Sequence, residues 1–232
     1  MAPIRLALTG LSSTTPTSWL STSHLPYLLS PRGQQRYQIV ALQNSSVEAA
    51  RKAIEHYHFD SEKVKAYGSA EELAKDGEVD LVVVGTRVDL HFGGIKPLLT
   101  TWKTDGNGKG KKRGVYSEWP LASNLQQVEE LVKLAQESGV KTVVGTQGFA
   151  SPVVKKVEEV LRSGKVGKVL STEVRLSGLT ADRVKVQEKM EYHTQRKVGG
   201  NLWSIGGGHC MFFSWFPFFH SSFLFGRCVK KS

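Results

Sequence analysis

Asp80-Leu-Val-Val-Val-Gly85 is the stretch that decides the fold. Four consecutive apolar residues, three of them β-branched, leave the strand no polar face to turn toward water. A strand of this kind belongs in a sheet covered on both sides, which is the habit of parallel sheets. Working outward, Ile4–Thr9 (IRLALT) reads as another buried strand ended by Gly10, and Tyr37–Leu42 (YQIVAL) repeats it. Shorter strands are expected at Val64–Tyr67, Val115–Ser117 and Lys141–Gly145. Helices alternate with them. One is expected at His24–Leu29 with Pro26 in its first turn. A second runs from a Ser46 cap to about His58, with Val47, Ala50, Ile54 and Tyr57 on one face. A third starts at Ser69, with Glu72 at capping-box spacing. Others are expected at Leu90–Thr101, from a Ser123 cap to Gly139, and at Ser151–Ser163. Strands and helices alternating through short connections predict an α/β fold, a doubly wound parallel sheet with right-handed crossovers.

The chain is long enough for one large domain or one and a half, at roughly 150 residues each. Its 232 residues are 40% hydrophobic and 22% charged, which excludes a disordered chain, a collagen-like repeat or a coiled coil. Cys210 and Cys228 both lie in the last 23 residues, so neither a disulfide framework nor a cysteine-rich zinc module builds the body. The opening MAPIRLALTG is too short in apolar residues for a secretory signal, and a cytoplasmic or nuclear location is expected.

The formal charge of +10 is unevenly spread. Residues 103–113 carry a net +4 and the tail, through Arg227, Lys230 and Lys231, another +3. A basic nucleic-acid-binding face would be distributed over the scaffold, so this charge argues for a solvated glycine-lysine loop at 102–114 and a basic tail. Met211–Phe225 holds seven of the ten Phe, but with Pro217 and His220 inside its 15 residues it falls short of the roughly 20 needed to cross a bilayer. Neither nucleic acid nor membrane is expected as a partner.

In an open parallel sheet, ligands bind beyond the carboxyl ends of the strands, where strand order reverses. That rule selects Gly10–Ser13, Gln43–Ser45, Gly85–His91, Glu118–Pro120 and Gly145–Phe149. The first turn, Gly10-Leu-Ser-Ser-Thr-Thr-Pro, keeps one glycine where a phosphate-binding fingerprint has three. Gln43-Asn44-Ser45 lacks the acid that holds a ribose 2′-hydroxyl. Without that carboxylate's repulsion, a 2′-phosphate is tolerated, so NADP is as well suited as NAD. His91, standing alone after the Val82–Gly85 strand, reads as a helix-surface or capping residue before it reads as catalytic.

Seven pieces, in order, carry a resemblance: IRLALTGLSS, SHLPYL, VDLVVVGTRVDLH, VYSEWPLA, VVGTQGFASP, GKVGKVLSTEV and GGNLWSIGGGH. Together they make residues 4–209 resemble the Gfo/Idh/MocA oxidoreductases, and among them the fungal branch of galactose/lactose regulatory proteins. The resemblance implies an NAD(P)-binding Rossmann domain over residues 1–149. It implies the start of a C-terminal α/β substrate and dimerisation domain at 150–209, followed by an aberrant Phe-rich tail at 210–232. It implies that Gly10, Ser12 and Ser13 line the pyrophosphate and that Asn44 sits by the adenosine ribose. Thr86 and His91 would lie along the cofactor, Glu118 and Trp119 near the nicotinamide, and Gln147 in the same cleft.

The departures bear on activity. Active members of the family carry Glu-Lys-Pro where this chain has Glu118-Trp119-Pro120, and an indole has no ammonium with which to move a proton. Ser204 stands near the family's Asp position in Gly199–His209, leaving His209 as the candidate acid/base, with His91 in support. The substrate domain is expected to stop short after His209, which makes dimerisation doubtful. Two functions are therefore expected to compete. One is hydride transfer between NAD or NADP and a sugar-like or polyol substrate. The other is a non-catalytic dinucleotide-binding regulator that answers to a sugar-like effector and acts on a protein partner; an inactive truncated product is the remaining outcome.

Overall fold

The structure, a computed structural model, describes residues 2–14, 18–102, 113–146, 150–170, 191–192 and 195–198. The lysine-rich stretch 103–112, the end of the GKVGKVLSTEV piece beyond Leu170, the Gly199–His209 motif and the 210–232 tail lie outside the described residues.

Six parallel strands form one sheet: β1 (Ile4–Thr9), β2 (Tyr37–Gln43), β3 (Lys65–Tyr67), β4 (Leu81–Val84), β5 (Gly114–Glu118) and β6 (Lys141–Gly145), in the order β3-β2-β1-β4-β5-β6. Alternate side chains of the central strands fill two separate cores. On one face Leu6, Leu8, Leu42 and Val83 pack beneath α1 (Leu25–Leu28) and α3 (Val47–His56). On the other, Ala7, Val82, Val84 and Val115 pack beneath α4 (Ala70–Ala74), α5 (Val88–Thr101) and α6 (Leu125–Ser138). This is the doubly wound arrangement expected from the sequence, with α2 (Pro31–Gln34) leading into β2.

Several caps hold as the sequence implied. Ser46 accepts a hydrogen bond from the Ala49 N–H at 3.1 Å, and Ser69 accepts from Glu72 at 3.2 Å. Gly139 closes α6 in the left-handed region at φ +67°. Others differ. α6 is capped by Asn124, which accepts from the Gln127 N–H at 3.0 Å, while Ser123 stands one residue outside. Both residue types cap well, and the register of the helix chooses between them. Leu125, the first residue of α6, is 70% exposed. The glycine-lysine loop is also shorter than 102–114. Trp102 is buried with its indole N–H donating to the Ala74 carbonyl at 2.8 Å, and Gly114 already belongs to β5. Arg113 lies over the Trp102 ring, 4.8 Å from its centroid, so part of the loop's charge is committed to the fold.

Ahead of α1 the chain makes one wide π turn, Leu20–His24, that runs directly into the helix. Leu20 is fully buried there against Gly85, at the end of β4. α7 (Pro152–Arg162) follows β6 and buries none of its residues among the described ones. Among the described residues, no helix is long and apolar enough to cross a membrane.

Leu8 has no exposed surface, whereas Val153 is 71% exposed. Leu8→Ala is expected to lower unfolding stability by about 3 kcal/mol, and Val153→Ala by less than about 0.5 kcal/mol. Urea denaturation followed by circular dichroism measures both; equal shifts would contradict the placement of the core.

Candidate functional site

β1 and β4 are hydrogen-bonded neighbours, with β2 beyond one and β5 beyond the other, so strand order reverses between them. Loops leaving two such strands run apart and open a crevice at the carboxyl end. Gly10 begins the first of these loops at φ +94°, a conformation a side chain resists. A Cβ there would stand 2.5 Å from Thr86 Cγ2 and 3.2 Å from the Thr86 backbone nitrogen. The turn after β1 therefore lies directly against the turn after β4. Thr86 Oγ1 is buried there without a hydrogen-bond partner among the described residues.

From this contact, direct bonds reach across the strand ends. Toward β2, the Gly10 N–H donates to the Gln43 carbonyl at 2.9 Å, and Asn44 Nδ2 donates to the Leu11 carbonyl at 3.0 Å. The Tyr57 hydroxyl donates to the Ser12 carbonyl at 2.8 Å, fastening the first turn to the end of α3. Ser12 Oγ also accepts from the Thr14 N–H at 3.2 Å, while Ser13 follows it half-buried. Toward β5, His91 Nε2 lies 2.9 Å from the Thr86 carbonyl and Nδ1 lies 2.9 Å from the Pro120 carbonyl.

His91 corrects the expectation of a helix-surface residue. It is 1% exposed, and its ring is clamped between the loops that follow β4 and β5. A neutral ring has one N–H, so its tautomer selects which carbonyl receives it, with Ser117 Oγ at 3.3 Å from Nδ1. Burial holds its pKa below the ordinary 6.5, against the pull of the Thr86 and Pro120 carbonyls. A ring so enclosed is poorly suited to support proton exchange with a substrate. It positions the two loops instead.

Glu118 ends β5 and is 9% exposed. Its Oε1 is 2.5 Å from His24 Nε2 and accepts from the Tyr116 hydroxyl at 3.2 Å. The His24 and Tyr116 rings meet edge to face, with centroids 5.4 Å apart. Burial, then the adjacent Glu118 carboxylate, pushes the Tyr116 hydroxyl well above its ordinary pKa, so Tyr116 remains a donor. Trp119 follows, half-buried, with a cis peptide to Pro120. His24 was not among the residues selected from sequence. It lies 94 positions from Glu118, and its one signal was its place in the SHLPYL piece.

Residues from beyond 190 reach this end as well. The Arg87 guanidinium pairs with both oxygens of Asp89, at 3.1 and 2.6 Å, and lies over the Tyr192 ring. Ser123 Oγ donates to the Val198 carbonyl at 3.2 Å. Gln147 and His209 lie outside the described residues. Among the described residues, no group of three or more His, Cys, Asp or Glu side chains is arranged to hold a metal ion.

A family model described as an oxidoreductase family with an NAD-binding Rossmann fold matches residues 17–146. The chain belongs to the Gfo/Idh/MocA oxidoreductase family. Across 90% of its length it is 35% identical to the dehydrogenase aclE of Aspergillus oryzae, covering 53% of that protein. It is 30% identical over 76% of its length to the galactose/lactose metabolism regulatory protein GAL80 of Saccharomyces cerevisiae, covering 38% of it. Among solved structures, a super-repressor mutant of Gal80p from that yeast superposes with a TM-score of 0.63 at 27% identity, over 72% of this chain and 41% of the other. The chain thus spans about half the length, or less, of these relatives. Its fold is the Rossmann α/β fold of this family, whose NAD-binding domain accounts for a nicotinamide dinucleotide as ligand.

The buried His91 gives stability a pH dependence of known sign. Its pKa is lower folded than unfolded, so its contribution is complete above the ordinary 6.5 and is lost as pH falls below that value toward the folded pKa. Between about pH 7.5 and 5.5, His91→Asn is expected to lose less stability than the parent chain. Urea midpoints at the two pH values test this; parallel losses would assign the slope to other groups.

Proposed function

We propose that the carboxyl ends of β1, β2, β4 and β5 bind a nicotinamide dinucleotide, and that the chain is an oxidoreductase module of the sugar or polyol type. The observation that supports this most is the contact of Gly10 with Thr86 at the reversal of strand order, beside a Thr86 hydroxyl that has no hydrogen-bond partner among the described residues. A backbone with no room for a Cβ, facing an unfilled hydroxyl, suits a pyrophosphate that must approach the main chain closely.

In this reading Gly10, Ser12 and Ser13 hold the pyrophosphate with backbone N–H and hydroxyl groups, and Thr86 donates its free hydroxyl beside them. Asn44 faces the adenosine ribose. Glu118, Trp119 and Gln147 border the nicotinamide, and His91 keeps the loops after β4 and β5 at a fixed separation. When bound, the dinucleotide supplies a hydride donor or acceptor at C4 of its nicotinamide. His209 then takes the hydroxyl proton as the carbinol carbon is oxidised, or returns it in reduction. Trp119 stands where an active relative's lysine would help orient the reacting hydroxyl. The polar partners of Glu118 in this chain are His24 and Tyr116.

The departure at Trp119, with the likeness to GAL80, supports a second reading: a dinucleotide-binding regulator that senses cofactor or a sugar-like effector and acts on a protein partner. Titration calorimetry with NAD and NADP is expected to give micromolar binding of at least one, weakened tenfold or more by Gly10→Val. Absorbance at 340 nm with a panel of aldoses and polyols then separates the readings. Turnover supports the oxidoreductase, and binding with no turnover of any substrate supports the regulator. Absence of binding below millimolar for both nucleotides would overturn both.

A further inference from the structure

The end of β2 carries an arrangement that the sequence, read for its missing acid, suggested was open to either cofactor. Asn44 Nδ2 donates to two main-chain carbonyls, Leu11 at 3.0 Å and Ala49 at 3.3 Å. Both partners are acceptors, so the amide has one sensible orientation and both of its N–H groups are spent. The group left to meet a ligand is the carbonyl oxygen Oδ1, an acceptor. The neighbouring amide is set alike: Gln43 Nε2 donates to the Asn44 carbonyl at 2.7 Å, and Gln43 Oε1 is buried without a donor among the described residues.

A carboxylate follows in the first turn of α3. Glu48 is the second residue of α3, four positions after Asn44, and is exposed. Hydrogen bonds from its own backbone N–H and from Ser46, together with the nearby charges of Arg51 and Lys52, hold its pKa below the ordinary carboxylate range. It is ionised at neutral pH and occupies the helix end where an anion would otherwise be favoured. Arg51 and Lys52 lie close enough to contribute to that lowering, so part of their charge is already shared with Glu48.

We infer that Asn44 and Glu48 make the adenosine subsite selective for a ribose 2′-hydroxyl, and therefore for NAD over NADP. A hydroxyl can donate to Asn44 Oδ1. A 2′-phosphate has no proton to donate at the second ionisation; it would meet the Asn44 amide oxygen, and Glu48, one residue before the Ala49 carbonyl that holds the Asn44 amide, adds a negative charge to the same turn. The inference rests on the dinucleotide reading above and specifies which form of the cofactor that reading takes. It also reverses the expectation that the absence of Asp or Glu after β2 leaves NADP equally suited. The carboxylate is present, carried by α3 instead of by the strand.

Titration calorimetry of the full chain with four ligands tests this: NAD, NADP, ADP-ribose and 2′-phospho-ADP-ribose. The last two isolate the adenosine half from any contribution of the nicotinamide end. The expected result is at least tenfold tighter binding of NAD than NADP, with the same preference in the ADP-ribose pair. Glu48→Gln, an exposed change that keeps a hydrogen-bonding side chain in the first turn, is expected to narrow the gap threefold or more by strengthening the phosphorylated ligands. Equal or tighter binding of the 2′-phosphorylated ligands would overturn the inference and leave the dinucleotide reading standing. A gap that Glu48→Gln leaves unchanged would overturn the role given to Glu48. Failure of all four ligands to bind would overturn the dinucleotide reading itself, and this inference with it.

Discussion

The parallel pairing of β1 with β4 is the constraint on which the rest depends. Leu6, Ala7, Leu8 and Thr9 stand beside Leu81, Val82, Val83 and Val84, and both faces of this pair are covered by helices. A strand pair with no wet face can present polar groups only where it ends. β2 follows β1 on one side of the pair and β5 follows β4 on the other, so the chain leaves the two strands in opposite directions. The same hydrophobic burial that holds the sheet together thus fixes where the two turns part and where Gly10 meets Thr86.

Around that point, side chains bond mainly to main-chain carbonyls. Asn44 ties the end of β2 to the turn after β1, Tyr57 ties that turn to α3, and His91 ties the turn after β4 to the turn after β5. Such bonds fix the loops without helices or strands to hold them, and they satisfy carbonyls that the loops would otherwise bury unpaired. The candidate residues therefore divide by what they face. Asn44 and His91 spend donors on the scaffold, whereas the Thr86 hydroxyl has no partner among the described residues. Glu118 is different again, a carboxylate held by a histidine and a tyrosine. For Asn44 the scaffold bonds also set chemistry, because the atom that remains for a ligand is decided by the atoms already used.

Much of the fold was readable from the chain. Val82–Val84, Leu6–Leu8 and the Ser46 and Ser69 caps are local signals, and local signals are enough where burial on two faces demands unbroken apolar runs. His91 was misjudged although its signal was present. Val88, His91, Ile95 and Leu98 share one helical stripe and are all buried, so position outweighed residue type. The meeting of His24 with Glu118 has no local trace, since the two residues stand 94 positions apart and a π turn carries His24 to the strand end. Glu48 carries no such signal, because it stands in the first turn of α3 and not at the end of β2. The family was legible from ordered motifs; which oxygen Asn44 presents required the positions of two carbonyls.

The central claim is that a nicotinamide dinucleotide lies along these strand ends, and backbone amide shifts measured by nitrogen-15 NMR during titration with NAD test it most directly. The account predicts saturable perturbations concentrated at Gly10, Leu11, Ser12, Asn44, Thr86 and Glu118, with the amides of Lys65 and Lys141, at the opposite ends of β3 and β6, unmoved. Perturbations confined to those opposite ends, or none at saturating NAD, would contradict it.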